Sequence, residues 1–575
     1  MIRHGLELGP LRGESPLWMG GCVYTQYWIR LVCPWPTLPL KKMLTLYTEE
    51  IWEAYCKKVE DDFKLKTYPQ LDPYFNFQKD KAILKAILSD PTHKKVKSYD
   101  FLPFLKVLQK TPRYKWQEDE EKELGGEYDL ETKVRPISFA SHFDTYIYGF
   151  YAFALNLKYQ EYIIKNGFQE VVLAYRTDLG GKCNVQFAKE TFDQIKNKFK
   201  EEGECSAIAL DIKGYFDNIN HSKLKEMWCK VIGEADLPID QYKVFRSLTK
   251  YSYVNYSSFL KHFEINLKAI EKEQAKKHKG KKKIPKGYQS LFDLIPDSLV
   301  GSKFHDKMEL LRQRKLVTIN SIFDKGQKKR ILKNSGIPQG SSMSALLSNI
   351  YLTEFDKEIY EKGKREGFVY RRYCDDLLII CKPEQVNDLK DYLMTLISDE
   401  YKLTIQNKKT DVIDFKLSTS GKIRSFKRNF NEETNTFESL PNDNKNFKNL
   451  QYLGFEHNGQ SIYIRPGSLS RYFRKMKARI VKTVSMAYST NSKSDKINKH
   501  QIFSRYSHFG KRNFLSYANN ASKKYYKNNA GDRKEGMDSP SIRRQIAGHM
   551  RIIMQEIVKT SGQRAEKKGS IKLKL

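Results

Sequence analysis

Asp375 and Asp376 stand side by side within Gly367–Lys382, GFVYRRYCDDLLIICK. An apolar and aromatic run (Phe368, Val369, Tyr370) precedes them and a second apolar run (Leu377 to Ile380) follows. Two such runs around a polar knot read as a β-hairpin with both strands buried and the carboxylates in its turn. Carboxylates held rigidly together repel each other unless a cation neutralises them. Hard Mg²⁺ suits the pair, because carboxylate and phosphate oxygens are its usual ligands. Asp211 supplies a third carboxylate: it ends Cys205–Leu210, CSAIAL, which reads as a central strand covered on both faces. Together the three make up the ligand set of a two-metal site. Taken singly, Asp-Asp is also an ordinary solvated turn and Asp211 an ordinary cap before a helix.

Other residues suit a phosphate-bearing substrate. In Thr132–Ser138, TKVRPIS, basic and apolar residues alternate, so Lys133 and Arg135 share one strand face. That pair can grip a triphosphate, Arg135 by bidentate contact and Lys133 as a point charge; a solvated edge strand is the plainer alternative. After Asp211, Gly214 permits a turn, Phe216 lies five residues past the carboxylate, and a helix is expected from about His221. Ser335–Ser342, SGIPQGSS, reads as a backbone-exposed loop feeding a serine-capped helix that carries Leu346, Leu347, Ile350, Tyr351 and Phe355 on one face. Such a loop leaves Gln339 free to bond a nucleotide or a template sugar. Arg176, Gly180-Gly181-Lys182 and Gly340 are assigned to nucleic-acid contact, although the Walker spacing GxxxxGK[ST] is absent.

The elements that must position these residues follow from pattern and charge. The chain has 575 residues and a formal net charge of +34. Such an excess repels itself unless a polyanion shares the surface, and nucleic acid is the usual one. The eight cysteines form no CxxC pair and no zinc-spaced cluster, and read as reduced thiols of a cytoplasmic protein. Residues 1–42 have no clear period and are expected to lie outside the fold, the functional chain beginning near Met43. From Leu44 to about Leu130 the pattern reads as mostly helical, as does Thr145–Ile164 and the stretch from Val185 to Phe199. Residues 232–334 read as an insertion, with a lysine run at 272–286 that suits phosphates and carries no base information. Beyond the hairpin a helix (Pro383–Ser398), a polar stretch to Asn449 and a short strand at Gln451–Phe455 are expected. From Leu469 onward the chain is basic, aromatic and largely helical, and the last residues read as a tail.

These motifs, in this order, resemble the reverse transcriptases of bacteria over roughly Lys133 to Phe455. Asp211 with Phe216 resembles the first catalytic motif, the aromatic ring screening the sugar 2′ carbon. GIPQGSSMS resembles the loop that holds template and nucleotide, and YCDD (Tyr373–Asp376) the catalytic hairpin. Lys409 stands where the family has a lysine beside the leaving pyrophosphate. Tyr452, Leu453 and Gly454 of YLGF resemble the primer grip. The resemblance implies catalytic Asp211, Asp375, Asp376 and Lys409, with two Mg²⁺ ions held by Asp211, Ile212, Asp375 and Asp376. It also implies nucleotide contact by Lys133, Arg135, Phe216 and Gln339. The implied fold is an α+β right hand: residues 43–204 as N-terminal helices and fingers, 205–455 as a palm with an antiparallel sheet, and 456–575 as a basic helical thumb. LDIKGYFDNIN and KVRPIS resemble group II intron proteins and defence-associated enzymes most. The chain lacks a Cys/His-rich endonuclease and a Val-Thr-Gly motif, which favours an antiviral defence enzyme with a partner non-coding RNA. Its substrates would be deoxynucleotides on an RNA template. Alternatives are an intron maturase, template-independent DNA synthesis, ribonucleotide polymerisation, or RNA binding without catalysis.

Overall fold

The computed structural model describes residues 46–61, 68–90, 92–118, 126–267, 269–270, 290–296, 298–301, 303–324, 326, 329–406, 410–489 and 496–568. The expectations for residues 1–42, the lysine run and Lys409 lie outside the described residues.

A six-stranded sheet carries the carboxylates. Its order is β12-β11-β10-β3-β9-β8, with β3 (Cys205–Asp211), β8 (Val369–Tyr373), β9 (Asp376–Cys381), β10 (Asp411–Leu417), β11 (Ile423–Asn431) and β12 (Thr436–Ser439) antiparallel throughout. The continuous apolar character of β3 and β9 has a direct cause: both faces of the sheet are covered. Ile208, Leu210, Leu377 and Ile379 lie in one core, and Cys205, Ala207, Leu378 and Ile380 in the other. The polar stretch expected to Asn449 instead forms β10 to β12. Its buried Asp414 accepts from Ser206 Oγ (2.5 Å), Arg428 Nε (2.8 Å) and Ser439 Oγ (3.1 Å). Paired polar groups can be buried in a sheet without an apolar signature in the sequence.

A second sheet, β2-β1-β4-β5, is formed by β1 (Phe104–Glu118), β2 (Gly126–Phe139), β4 (Ser252–Asn255) and β5 (Val317–Ile319). The helical reading to Leu130 therefore fails from Phe104 onward. The period there is two: Leu105 and Val107 are buried and Leu108 is exposed. Pro112 sits where β1 has β2 as its ladder partner, β4 pairing only with residues 104–106, so it costs no central-strand hydrogen bond. Strands β4 and β5 come from the stretch read as an insertion, and with β1 and flanking helices they enclose a separate core.

The aromatic helix His142–Lys165 and the helix Asn184–Glu202 form as expected. The helix after the SGIPQGSS loop breaks at Leu352 into Ser344–Tyr351 and Thr353–Glu366, and Met343, not a serine, is its N-cap. The C-terminal region packs helix Pro466–Ala487 against His549–Lys568 through Met476, Ile480, Val484, Ile553 and Ile557. That last helix takes in the first half of the stretch read as a tail, 562–568; the rest lies outside the described residues. Cys56, Cys205, Cys229, Cys374 and Cys381 are buried free thiols, and Cys183 is buried at the start of its helix. No helix among the described residues is long and apolar enough to cross a membrane.

Candidate active site

Strands β3 and β9 bring the three carboxylates to one end of the sheet. Their last register pair is Asp211 with Asp376, and the Ile212 amide donates to the Asp375 carbonyl (3.1 Å). Asp375 lies in the turn, but Asp376 opens β9, which corrects the placement of both in the turn. Successive strand residues face opposite ways. Asp376 is exposed, and its charge is felt by the hydroxyls of Tyr373 and Tyr452. Asp375 is pushed up by burial first and by the charge of Asp211, and drawn down by the Cys374 thiol and Lys133. Arg135, lowered by burial and by Arg113, is supported by the charge of Asp375. Lys133 and Arg135 on β2 thus converge electrostatically on the carboxylate turn.

The turn itself is held from beneath. Cys374 is left-handed (φ 60°) and buried, and the fully buried Arg372 donates to its carbonyl (3.2 Å). The same guanidinium clasps Asp356 at 2.8 and 2.5 Å and reaches Asn349 Oδ1 (3.2 Å). Tyr370 also donates to Asp356 (2.9 Å), and Asn349 donates to the Ala174 carbonyl (2.9 Å). On the other side the left-handed Tyr175 hydrogen-bonds the Cys374 thiol, which in turn bonds Asp375. Tyr175 and Arg372 escaped the sequence reading. An arginine inside an apolar strand was the available signal for the second.

The nucleotide candidates gather beside this end. Phe216, half-buried, accepts at its carbonyl from the Ile337 amide (2.9 Å), and Gly336 donates to the Ile219 carbonyl (2.9 Å). The Gln339 carbonyl accepts from the Ser138 amide (2.8 Å), while its side chain makes no hydrogen bond among the described residues. Gly340 (φ 119°) brings the loop so close to β2 that a Cβ would meet the Ser138 carbonyl at 2.9 Å. Phe216, Gln339 and β2 therefore form one continuous backbone-bonded wall.

Arg176 is the clearest departure. It is buried, and its guanidinium pairs with Asp178 and donates to the carbonyls of Gln169 and Val172. That is an internal brace, which leaves no donor group offered to a phosphate. Tyr452 ends β13 (Leu450–Tyr452) and is buried. Leu453 (φ 46°) and Gly454 (φ 90°) make the turn into β14 (Phe455–His457), and the Leu453 carbonyl accepts from Asn184 (3.0 Å). The Ile212 side chain is buried, so only its main-chain carbonyl could meet a metal.

A cation cluster that the sequence reading had not resolved faces the site from helix Pro466–Ala487. Burial lowers Arg471 first, followed by the charges of Arg465, Arg474 and Arg135. Lys475 is lowered likewise, by burial and then by Arg471 and Arg474. Arg474 lies over the Tyr114 ring of β1 (5.0 Å), so the thumb-like helix touches the fingers-like hairpin. Cations crowded this way suit a phosphate backbone.

Among the described residues no group of three or more His, Cys, Asp or Glu is arranged to hold a metal ion by itself. The donors nevertheless suit Mg²⁺, which is ordinarily bound by one or two carboxylates with substrate phosphates completing its shell. Asp375, raised by burial and by Asp211, is the carboxylate that a cation would relieve.

Residues 302–457 match the family described as reverse transcriptase (RNA-dependent DNA polymerase). The matched segment contains the hairpin, the GIPQG loop and YLGF. Asp211 and Phe216 lie outside it and enter the site through β3 and the loop that follows. No curated protein matches the chain. Among solved structures, apo telomerase from Candida tropicalis truncated from the C-terminal domain is similar at 11% identity and a TM-score of 0.34, over 67% of this chain and 60% of that one. Telomerase from Candida albicans with a TWJ fragment of telomeric RNA gives 12% identity and a TM-score of 0.30, over 80% and 57%. The chain thus spans about 60% of the length of the first. Likeness at this level carries nothing further for this chain.

Proposed function

We propose that this protein is an RNA-directed DNA polymerase that extends a primer with deoxynucleotides. The observation that carries the reading is the β3–β9 register, which joins Asp211 to Asp375 and Asp376 with Lys133 and Arg135 facing the turn. Asp211 and Asp375 would hold two Mg²⁺ ions, with Asp376 and the Ile212 carbonyl supporting. When bound, the ions would activate the primer 3′-hydroxyl and neutralise the leaving pyrophosphate. Lys133 and Arg135 bind the triphosphate, and Lys409 donates a proton to the pyrophosphate. Phe216 screens the sugar, Gln339 and Gly340 shape the nucleotide wall, and Tyr452–Gly454 steady the primer end. The role of the chain is chiefly positioning.

A dedicated non-coding RNA and an antiviral role are the finer reading. They are supported by the motif resemblance of LDIKGYFDNIN and KVRPIS. The deciding experiment is DNA synthesis by protein purified with its bound RNA, beside Asp375→Ala, followed by sequencing of RNA and product. Complementary DNA that vanishes in Asp375→Ala is expected. Synthesis that survives the substitution would overturn the catalytic assignment. Homopolymer made without a matching template base would indicate template-independent synthesis.

A further inference from the structure

A cavity of about 120 Å³ opens beside Asp217 and Gly336, lined by residues of the β2-β1-β4-β5 sheet and of the hairpin of β6 (Ser321–Asp324) and β7 (Lys329–Leu332). Lys106, Arg330, Lys333, Asn320, Asp217 and Tyr251 are among its lining residues. None of the three cations has an acidic partner among the described residues. Lys106 lies over the Tyr253 ring (4.2 Å), and Arg330 donates only to Ser321 Oγ (3.4 Å). Asn320 is 8% exposed, and its main chain is pinned on both sides: its amide donates to Tyr251 and its carbonyl accepts from Lys333. Its side-chain nitrogen is buried without a hydrogen-bond partner. An unsatisfied buried donor beside three unneutralised cations calls for an anion.

We propose that this cavity binds one phosphate and the adjoining ribose edge of an RNA strand. Lys106, Arg330 and Lys333 take the phosphate oxygens, and Asn320 donates to one of them. Asp217, the acidic member of this set, would repel a phosphate but accepts from a ribose 2′-hydroxyl, the group that separates RNA from DNA. The charge balance of these residues, three positive against one negative, suits a phosphodiester. The anion site stands on the cavity alone; its assignment to an RNA strand rests on the polymerase reading above.

The test is binding of a labelled single-stranded RNA, and of DNA of the same sequence, to the full-length protein without Mg²⁺ or nucleotides. Without catalysis in the assay, failure of the polymerase reading and failure of this site remain distinct. Arg330→Gln with Lys333→Gln should weaken RNA about tenfold and lower the salt slope by about 0.7. Asp217→Ala, which removes the acceptor, should erase preference for RNA over DNA. Unchanged affinity and slope in a folded double variant overturn the site. Should the variants fail to fold, acetylation of Lys106 and Lys333 in the wild-type protein decides: protection by the RNA supports the proposal. Protection by inorganic triphosphate but not RNA overturns the strand assignment in favour of a free polyphosphate, and protection by neither overturns both.

Discussion

The buried guanidinium of Arg372 donates to the carbonyl of Cys374, the left-handed residue immediately before Asp375. The orientation of the carboxylate turn is thereby tied to Asp356, on a helix that carries none of the site residues.

Arg372→Ala should cost about 3–5 kcal/mol, because it strands Asp356 in the core. Replacing the pair together, Arg372→Met with Asp356→Leu, should restore most of that stability and leave the Cys374 carbonyl without its donor. DNA synthesis in the double variant should remain impaired. Wild-type rates at wild-type stability, by urea denaturation and primer extension, would remove Arg372 from a positioning role.

Asp375, in the turn, is half-buried and feels the charges of Asp211 and Lys133, whereas Asp376, the register partner of Asp211 at the start of β9, is exposed. Asp375→Asn should therefore reduce primer extension far more than Asp376→Asn, with both proteins folded. The reverse ranking would exchange their assignments.

The carbonyl of Phe216 accepts from the Ile337 amide, in the loop that carries Gln339. Phe216→Ala should admit ribonucleotides while deoxynucleotide use changes little. Competition between the two triphosphates measures this, and an unaltered ratio would exclude Phe216 as the sugar screen.

His457 is fully buried, stacked on Phe192 (5.0 Å), with neither ring nitrogen hydrogen-bonded. Burial, and then the charge of Lys196, lower it from 6.5 to about 3. The unfolded chain therefore takes up this proton first as pH falls. The stabilisation is complete above 6.5 and is lost between 6.5 and about 3, at up to about 1.4 kcal/mol per pH unit. His457→Phe should flatten that part of the acid profile. Equal slopes for the two proteins between pH 7 and pH 5 would count against it.

The Arg474–Tyr114 contact joins helix Pro466–Ala487 to strand β1. Both partners are near the surface, so Arg474→Ala should change stability by less than about 1 kcal/mol. It should alter the association rate of a primer–template duplex, read by stopped-flow fluorescence. An unchanged rate would mean that the contact does not gate entry.

Much of the carboxylate-bearing sheet was legible because its chemistry depends on local sequence. A continuous apolar run ending in Asp211 and two apolar runs around Asp375 can hardly be anything but buried strands. The Gly-Ile-Pro-Gln-Gly loop announces its turn in the same way. Strands β10 to β12 were not legible, because Asp414, Ser206 and Arg428 satisfy one another only after distant segments meet. Arg176 misled for the same reason: a cation beside a glycine-rich loop suits a phosphate until Asp178 and two carbonyls are seen to surround it.

The sequence by itself determined the strongly basic character, the three carboxylates and the strands that end in them. Apolar periodicity and turn chemistry are properties of neighbouring residues. Tertiary structure alone decided that Asp211 pairs with Asp376, that Lys133 and Arg135 face Asp375, and that Arg372 braces the turn. Those relationships join residues far apart in the chain, and strand register, burial and charge compensation exist only once the chain has closed on itself.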